Sequence, residues 1–236
     1  MFRFLSICIL MVFASFSTPI SSENRLSYVE RTGQFEGKYL EMLSLYTSFG
    51  LDSLLPLEAF EQAFIGYEKM DHPKKNILSI IDFTKPSTEE RMFVLDMENQ
   101  KVLFQTVVAH GKNSGEQFAR KFSNKHGSFQ SSLGFFRTAN TYYGGNGYSL
   151  VIEGLEKGIN DQAKARAVVI HGADYCSEDF IRKNGRLGRS YGCPSLPHEV
   201  NRAIIDTIKE GSLLFIYAKD QEYQMLSALL RPDTKV

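Results

Sequence analysis

Two segments of the sequence combine residue types that are suited to nucleophilic catalysis. An apolar run at residues 168–170 ends at His171 and Gly172, which predicts a buried strand with a histidine at its open end. Cys193 follows within a stretch of small residues. A cysteine is a strong nucleophile once ionised, and a neighbouring histidine favours that ionisation. The pattern is compatible with a cysteine enzyme that uses Cys193 as nucleophile and His171 as base.

The residues before Cys193 favour a tight turn. Gly188, Ser190 and Gly192 are small, so the backbone can bend sharply and consecutive amides can point at one spot. Such amides can form an oxyanion site without any side chain. Alone, these signals leave a structural alternative open, because many histidines after strands are structural and buried cysteines often pack as small hydrophobes.

Other candidate residues carry weaker signals. His110 and Gly111 repeat the His-Gly pair, but no Ser-x-Gly-Cys segment follows them, so His110 is at most a substrate contact. His126 is typical of surface histidines, and His198 is a reserve base only because it lies close to Cys193 in sequence. No cluster of His, Cys and acidic residues has metal-ligand spacing, so we expect no metal and no other cofactor.

The composition is that of an ordinary globular protein. The chain has 236 residues, enough for one well-buried domain with a small extension. Hydrophobic residues make up 43% and charged residues 23%. Lys+Arg and Asp+Glu both number 27, so no overall basic field attracts nucleic acid. We therefore expect no nucleic-acid partner.

The segment 1–22 predicts a secretory signal peptide. Arg3 precedes an apolar run at residues 4–16, and small or turn-forming residues follow up to Ser22. The run is shorter than the roughly 20 residues of a membrane-spanning helix, which argues against an uncleaved anchor. We expect cleavage near Ser17, export to the periplasm or cell envelope, and no stable membrane insertion afterwards.

Helical periodicity appears in three places. Apolar residues recur at helical spacing over residues 39–49 and again over residues 57–67, where Pro56 is well placed to begin the helix. These two helices predict a helical pair before the main domain. A further helix is predicted at residues 199–209, with Gly211 after its end.

Most of the remaining chain has the pattern of strands. Between residues 98 and 100 a turn separates two apolar runs, which predicts a hairpin. Residues 111–158 are rich in Gly, Ser and Asn without helical spacing, so we expect short strands and loops there. The predicted fold is mainly β (α+β) with peripheral helices, and its candidate strands are residues 76–83, 91–97, 101–109, 165–170 and 212–218.

The wider arrangement resembles the catalytic domain of the murein L,D-transpeptidases, the YkuD-like family. The shared signature is a strand ending at His-Gly, followed by Ser190-Tyr191-Gly192-Cys193, which places Ser190 with the catalytic residues. The resemblance covers about residues 77–218 and implies a YkuD-like, β-rich catalytic domain. Longer matches to one branch of that family follow in order at residues 109–115, 122–124, 131–134, 141–144, 147–150, 154–158 and 171–175.

The resemblance implies a role for each residue of the signature. Cys193 attacks the carbonyl at the third position of a peptidoglycan stem peptide, and His171 accepts the thiol proton and later passes a proton to the leaving group. The carbonyl of Gly172 orients the imidazole, and the backbone amides of Tyr191, Gly192 and Cys193 hold the oxyanion. Terminal D-alanine leaves, and an amine from a second stem peptide resolves the thioester into a cross-link. The implied partners are stem peptides, and we expect a monomer.

The sequence also departs from the family pattern beside the nucleophile. Tyr191 stands where a histidine commonly precedes the Gly-Cys pair, and Pro194 and Ser195 replace an aliphatic residue and an Asn or Arg. These family positions shape the donor site, so donor recognition is open here. Ser195 is alternatively a cap for the helix that begins near Pro197.

Three other functions remain open. Water in place of the acceptor amine makes the protein an L,D-carboxypeptidase. A related cell-wall cysteine hydrolase is a second alternative, although NlpC-type endopeptidases place cysteine before histidine and the sortase Thr-Leu-x-Thr-Cys segment is absent. The third is a non-catalytic wall-binding module, against which the presence of both His171 and Cys193 argues.

Removal of the leader leaves two cysteines, Cys176 and Cys193. Secreted domains often pair an even number of cysteines in disulfides, whereas a catalytic cysteine must stay a free thiol. We predict that Cys193 is reduced and that a helix beginning near Ser177 carries Cys176 away from it. The predicted organisation is a signal peptide at 1–22, a helical extension at 23–75, the L,D-transpeptidase-like domain at 76–220 and a C-terminal tail at 221–236.

Overall fold

The computed structural model describes residues 36–70 and 76–231. Two compact units divide the chain at Met1–Glu41 and Met42–Val236. In the first unit the described residues form the start of helix α1, which covers residues 36–48. The predicted signal peptide lies outside the described residues. None of the helices in the described part of the chain is long and apolar enough to cross a membrane.

Eight strands in the described residues form one mixed sheet with the order β3-β2-β1-β8-β4-β5-β6-β7. The pairs β1–β8 and β6–β7 are parallel, and the other neighbours are antiparallel. The mainly β fold with peripheral helices is therefore confirmed. The strands are β1 (Ile77–Asp82), β2 (Met92–Asp96), β3 (Lys101–Thr106), β4 (Gly134–Gly144), β5 (Gly147–Gly154), β6 (Val169–Gly172), β7 (Ser195–Leu196) and β8 (Leu213–Tyr217).

Strands β4 and β5 correct one expectation. They are 11 and 8 residues long, although the sequence predicts only short strands and loops across residues 111–158. The first three residues of β4 are buried and the last three are exposed, so polar residues and glycines at its far end hide the strand pattern. Register also shifts between Thr138 and Thr141, which interrupts the alternation of side chains.

Helices cover the sheet much as their spacing predicts. Helix α2 (Leu57–Lys69) begins directly after Pro56 and packs against β1 and β8. Helices α3 (Glu178–Asn184) and α4 (His198–Ile208) follow β6 and β7, and the helices predicted from residues 57–67 and 199–209 are confirmed.

One part of the core lies between α2 and the centre of the sheet. Phe135 of β4 and Phe215 of β8 are fully buried, and their rings stack with centroids 4.3 Å apart. Only glycine fits at position 66 of α2, because a Cβ there would lie 2.1 Å from the Phe135 ring. Truncating a buried phenylalanine costs about 3–5 kcal/mol, so this stack is a major source of stability.

The segment predicted as a C-terminal tail contains helix α5 (Gln221–Leu226). Tyr223 of this helix is buried, and its hydroxyl donates to the Glu156 carboxylate over 3.2 Å. The Ser227 hydroxyl donates to the same carboxylate over 2.5 Å. Burial raises the pKa of Glu156, while these hydrogen bonds oppose the shift. The tail segment is thus anchored to the core by a buried carboxylate.

The chain beyond β3 closes the sheet near the predicted catalytic turn. Ala109 forms an antiparallel bridge with Ser195 of β7, and Gly111 forms a parallel bridge with Ser190. The two ends of the strand order therefore meet through residues 109–111. This contact holds the turn before Cys193 against the rest of the domain.

Candidate active site

Strand β6 places His171 between two neighbouring strands. His171 is opposite Ser149 of β5 on one side and opposite Ser195 of β7 on the other. The strand begins at Val169 rather than at residue 165 as predicted, and all four of its residues are buried. His171 is itself within the strand, only 4% exposed, so its ring orientation is set by the sheet.

Two hydrogen bonds fix the His171 ring. Its Nδ1 lies 2.8 Å from the carbonyl oxygen of Gly172, which can only accept, so Nδ1 carries the proton. Nε2 is then the acceptor, and the Ser195 hydroxyl donates to it over 3.1 Å. Burial lowers the pKa of His171, and His198 adds to this effect, while the bond to Gly172 opposes it. The imidazole is therefore neutral near pH 7, the form that a general base needs.

Ser195 has a different role from the predicted helix cap. Helix α4 has Pro197 at its N-cap position and no side-chain cap, so the capping interpretation is wrong. Because Ser195 lies in β7 directly opposite His171, its side chain reaches the imidazole instead of the helix. The Tyr175 hydroxyl is 2.9 Å from Ser195 Oγ and extends the chain of hydrogen bonds.

The tight turn before Cys193 is present and is built by Ser190 and Gly192. Ser190 Oγ donates to the Cys193 carbonyl over 2.6 Å and accepts from the Gly192 amide over 3.0 Å. Gly192 has φ 128°, a conformation that disfavours a side chain, and a Cβ there would lie 3.0 Å from the carbonyl oxygen of Gln130. Ser190 thus acts by shaping the turn.

Of the three amides expected to hold an oxyanion, one is already engaged. The Gly192 amide is used by Ser190, as described above. Within the described part of the chain, the amides of Tyr191 and Cys193 have no acceptor. The Tyr191 side chain is 69% exposed, so the turn borders solvent on this side. Tyr191 and Cys193 are the amides available for a new acceptor.

The thiol of Cys193 lies against the chain that leads into β6. Its Sγ is 3.5 Å from the Val169 amide and 3.7 Å from the Ala167 carbonyl, and the residue is partly exposed. Burial raises the pKa of the Cys193 thiol, while the Val169 amide and the Arg166 guanidinium oppose the rise. Neutral thiol is therefore the resting form near pH 7.

Among the described residues, no hydrogen bond joins Cys193 directly to His171. The thiol faces Val169, while Nε2 of His171 is occupied by Ser195. Proton transfer from Cys193 to His171 requires the thiol to rotate and Ser195 to release the imidazole. Catalytic hydrogen bonds commonly tighten only when substrate is bound.

The remaining histidines lie outside this arrangement. His110 is fully buried, and Arg91 donates to its Nδ1 over 2.8 Å, so it cannot be the substrate contact that the sequence left open. Burial, with Arg91 beside the ring, lowers the pKa of His110 to about 3. His198 pairs with Asp174 over 3.1 Å, and His126 is exposed as expected.

The two cysteines of the described residues, Cys176 and Cys193, are both free thiols, in line with the prediction. Cys176 is fully buried, its Sγ donates to the Ser195 carbonyl over 3.1 Å, and burial raises its pKa to about 12. Helix α3 begins after Ser177 as predicted, and the Ser177 hydroxyl accepts a hydrogen bond from the Phe180 amide. Cys176 is therefore an unreactive packing residue behind the site.

Several residues beside the turn escaped the sequence analysis. The rings of Phe129 and Tyr191 are 4.9 Å apart, and the Lys112 ammonium lies 4.4 Å and 4.5 Å from their centroids. Arg166, in the loop before β6, lies beside the same turn at Gly192 and opposes the rise in the pKa of the Cys193 thiol. Phe129, Lys112 and Arg166 are far from Cys193 in sequence, so only the fold brings them beside the turn. No group of His, Cys and acidic residues in the described ranges could hold a metal ion.

Comparison with known proteins gives one family match and several similar structures. The family model for the L,D-transpeptidase catalytic domain matches residues 52–217, which begins inside the segment assigned to the helical extension. Among solved structures, an L,D-transpeptidase from Mycobacterium smegmatis is 15% identical over 61% of this chain and 59% of that chain, with TM-score 0.38.

Two further structures are similar at the same level. An L,D-transpeptidase from Enterococcus faecium is 16% identical over 61% of this chain and 50% of that chain, with TM-score 0.37. One from Stackebrandtia nassauensis is 13% identical over 75% of this chain and 76% of that chain, with TM-score 0.37. The match spans 59% of the Mycobacterium smegmatis chain, less than two thirds of its length. No curated protein sequence matches the chain.

Proposed function

The chain belongs to the L,D-transpeptidase catalytic domain family, and from this premise we propose that it is a cysteine-dependent peptidoglycan L,D-transpeptidase. The observation that carries the proposal is the family match across residues 52–217, which includes the His171-Gly172 strand and the Ser190–Cys193 turn. The neutral imidazole of His171 beside the Cys193 segment supports it, because a neutral thiol needs a neutral base.

In the proposed reaction, Cys193 and His171 act through the neutral thiol and the neutral imidazole. Sγ attacks the carbonyl at the third residue of a stem peptide while Nε2 of His171 takes the thiol proton. The Gly172 carbonyl holds Nδ1–H and stabilises the imidazolium that forms. The amides of Tyr191 and Cys193 donate hydrogen bonds to the oxyanion. D-Alanine leaves with the proton from His171. The acceptor amine then attacks the thioester, and its proton passes through His171 to Sγ as the new amide forms and the thiol is regenerated.

The surface beside the turn suits an anionic peptide. Stem peptides carry free carboxylates, and the Lys112 ammonium lies next to Tyr191, two residues before the proposed nucleophile. We propose that this ammonium pairs with a substrate carboxylate while the exposed Tyr191 ring packs on the peptide. This assignment supplies donor contacts at positions where the chain departs from the family pattern.

The proposed substrate places the protein outside the cytoplasmic membrane. We propose that the segment 1–22 is cleaved as a signal peptide and that the mature chain is a monomer of the periplasm or cell envelope. N-terminal sequencing of protein recovered from fractionated cells tests this point. A mature chain starting near Thr18 in the envelope fraction is expected, and intact Met1 in cytoplasmic protein contradicts it.

Product analysis with a purified disaccharide-tetrapeptide tests the activity. We expect cross-linked dimers, with release of D-alanine, and none with Cys193→Ala. Tripeptide products without dimers identify the carboxypeptidase alternative. Retained binding without any product identifies a wall-binding module and contradicts the proposed enzyme.

A further inference from the structure

Arg166 forms hydrogen bonds with residues 123–132, a segment that lies beside the turn before the proposed nucleophile. It lies in the loop before β6, and its half-buried guanidinium makes four hydrogen bonds. Nη1 donates to the Ser123 carbonyl and to Ser132 Oγ, both over 2.6 Å. Nη2 donates to the Gln130 carbonyl over 2.6 Å and to Ser128 Oγ over 3.2 Å. Residues 123–132, named the braced segment below, are thus held by one side chain.

The braced segment contacts the turn that carries Cys193. Ser131 Oγ donates to the Gly192 carbonyl over 3.4 Å. A Cβ at Gly192 would lie 3.0 Å from the Gln130 carbonyl oxygen and 3.4 Å from Nη2 of Arg166. The guanidinium therefore reaches both the braced segment and the backbone immediately before Cys193.

The charge of Arg166 has no acidic partner within residues 36–70 and 76–231. Its four acceptors are neutral carbonyls and hydroxyls. Burial lowers the pKa of Arg166 and the Cys193 sulfur opposes that shift, but a guanidinium stays protonated in a protein. An unneutralised cation beside the thiol favours a negative charge on sulfur.

We propose that Arg166 is a positioning residue for Cys193: it holds the braced segment against the Gly192 turn and places a positive charge beside the sulfur. The inference rests on the proposed function only in taking Cys193 as the nucleophile. As the thiol proton passes to His171, negative charge develops on Sγ beside the Ala167 carbonyl, which repels it. The guanidinium offsets that repulsion.

Other titratable groups around the sulfur act differently. Tyr175 is a neutral phenol near pH 7, since burial raises its pKa, with the two cysteines adding to the effect. The neutral imidazole of His171 is the proton acceptor, and Cys176 stays protonated. Among these groups only Arg166 carries a fixed positive charge.

The test measures the alkylation rate of Cys193 by iodoacetamide against pH in Arg166→Gln and Arg166→Lys, by mass spectrometry of the intact protein. Arg137→Gln is the control, because Arg137 forms an exposed ion pair with Glu153. In Arg166→Gln we expect the rate at pH 8 to fall by roughly 3- to 10-fold, with the profile displaced to higher pH. The control should match the wild type. An unchanged profile in folded Arg166→Gln overturns the inference.

Arg166→Lys separates the effect of the positive charge from the effect of the hydrogen bonds to the braced segment. It also tests the inference if Arg166→Gln does not fold. Lysine keeps the charge but loses the forked hydrogen bonds, so we expect a profile near that of the wild type together with slower acylation by a carbapenem. Wild-type acylation in this variant contradicts the bracing. Alkylation does not depend on the reaction, so failure of wild-type protein to react with a carbapenem counts against the proposed function alone.

Discussion

The domain contains two pairs that each consist of one histidine and one cysteine, and the two pairs differ in their exposure to solvent. The outer pair is His171 and Cys193, and the inner pair is His110 and Cys176, both of which interact with buried Arg91. The inner pair is fully buried, with pKa values of about 3 and about 12, so neither group changes charge near pH 7. In the outer pair the pKa of His171 is also lowered and the pKa of Cys193 is also raised, but the Cys193 thiol is partly exposed. Exposure of the thiol, more than residue type, separates the proposed catalytic pair from the buried packing pair.

The largest expected difference between the pairs concerns the two thiols. Cys193→Ala removes the proposed nucleophile, so turnover and labelling by a carbapenem should be abolished. Cys176→Ala should keep both activities with a modest loss in melting temperature, because its buried thiol stays protonated. Loss of activity in Cys176→Ala, or full activity in Cys193→Ala, reverses the assignment of the pairs.

The two histidines should differ nearly as much. His171→Ala should slow acylation by about 10²- to 10⁴-fold, the usual contribution of a positioned base. His110→Ala should instead lower the free energy of unfolding by about 2–4 kcal/mol, because it leaves a cavity and unpaired donors on Arg91. Stopped-flow acylation and chemical denaturation of both variants check this. Equal rate losses without any stability loss in His110→Ala would contradict it.

The pH dependence should separate activity from stability. Burial lowers the pKa of His171 below 6.5, so the rate of acylation should be lost only as pH falls through that lower value. His110 has a pKa of about 3, against 6.5 when unfolded. Between these values the unfolded chain binds the extra proton, so stability should fall as pH is lowered. The decrease in the free energy of unfolding with falling pH should be smaller in His110→Ala than in the wild type. An acid limb of acylation at or above pH 6.5 contradicts the neutral-base account.

The smallest expected effect concerns Ser195. Its hydroxyl occupies Nε2 of His171, and a hydrogen bond of about 1 kcal/mol competes with the thiol for the same nitrogen. Ser195→Ala should therefore speed acylation about fivefold, measured by stopped-flow. A loss greater than tenfold would show that Ser195 takes part in the reaction.

The sequence predicts the parts of this site that depend on neighbouring residues. The His-Gly strand end, the Ser-x-Gly-Cys turn, the hairpin at residues 98–100 and the helices flanking the sheet follow from local patterns, and the structure confirms the elements. Local patterns also gave the wrong role for Ser195, because its parallel pairing with His171 is a long-range feature.

Long-range features account for the other differences. Arg166, Lys112 and Phe129 approach the turn at Tyr191 and Gly192 only through the folded loops, and no spacing rule predicts them. His110 shows that similar local sequences can have different surroundings in the fold. Its local sequence resembles that of His171, yet the sheet buries it against Arg91. Burial of a polar residue depends on the whole fold.

The most direct test of the account is the site of the acyl-enzyme. Protein incubated with the tetrapeptide substrate is quenched in acid, digested, and analysed by tandem mass spectrometry. We predict a thioester of the tripeptide on the peptide that contains Cys193, with Cys176 unmodified. An adduct on any other residue, or turnover without an adduct on Cys193, contradicts the central claim.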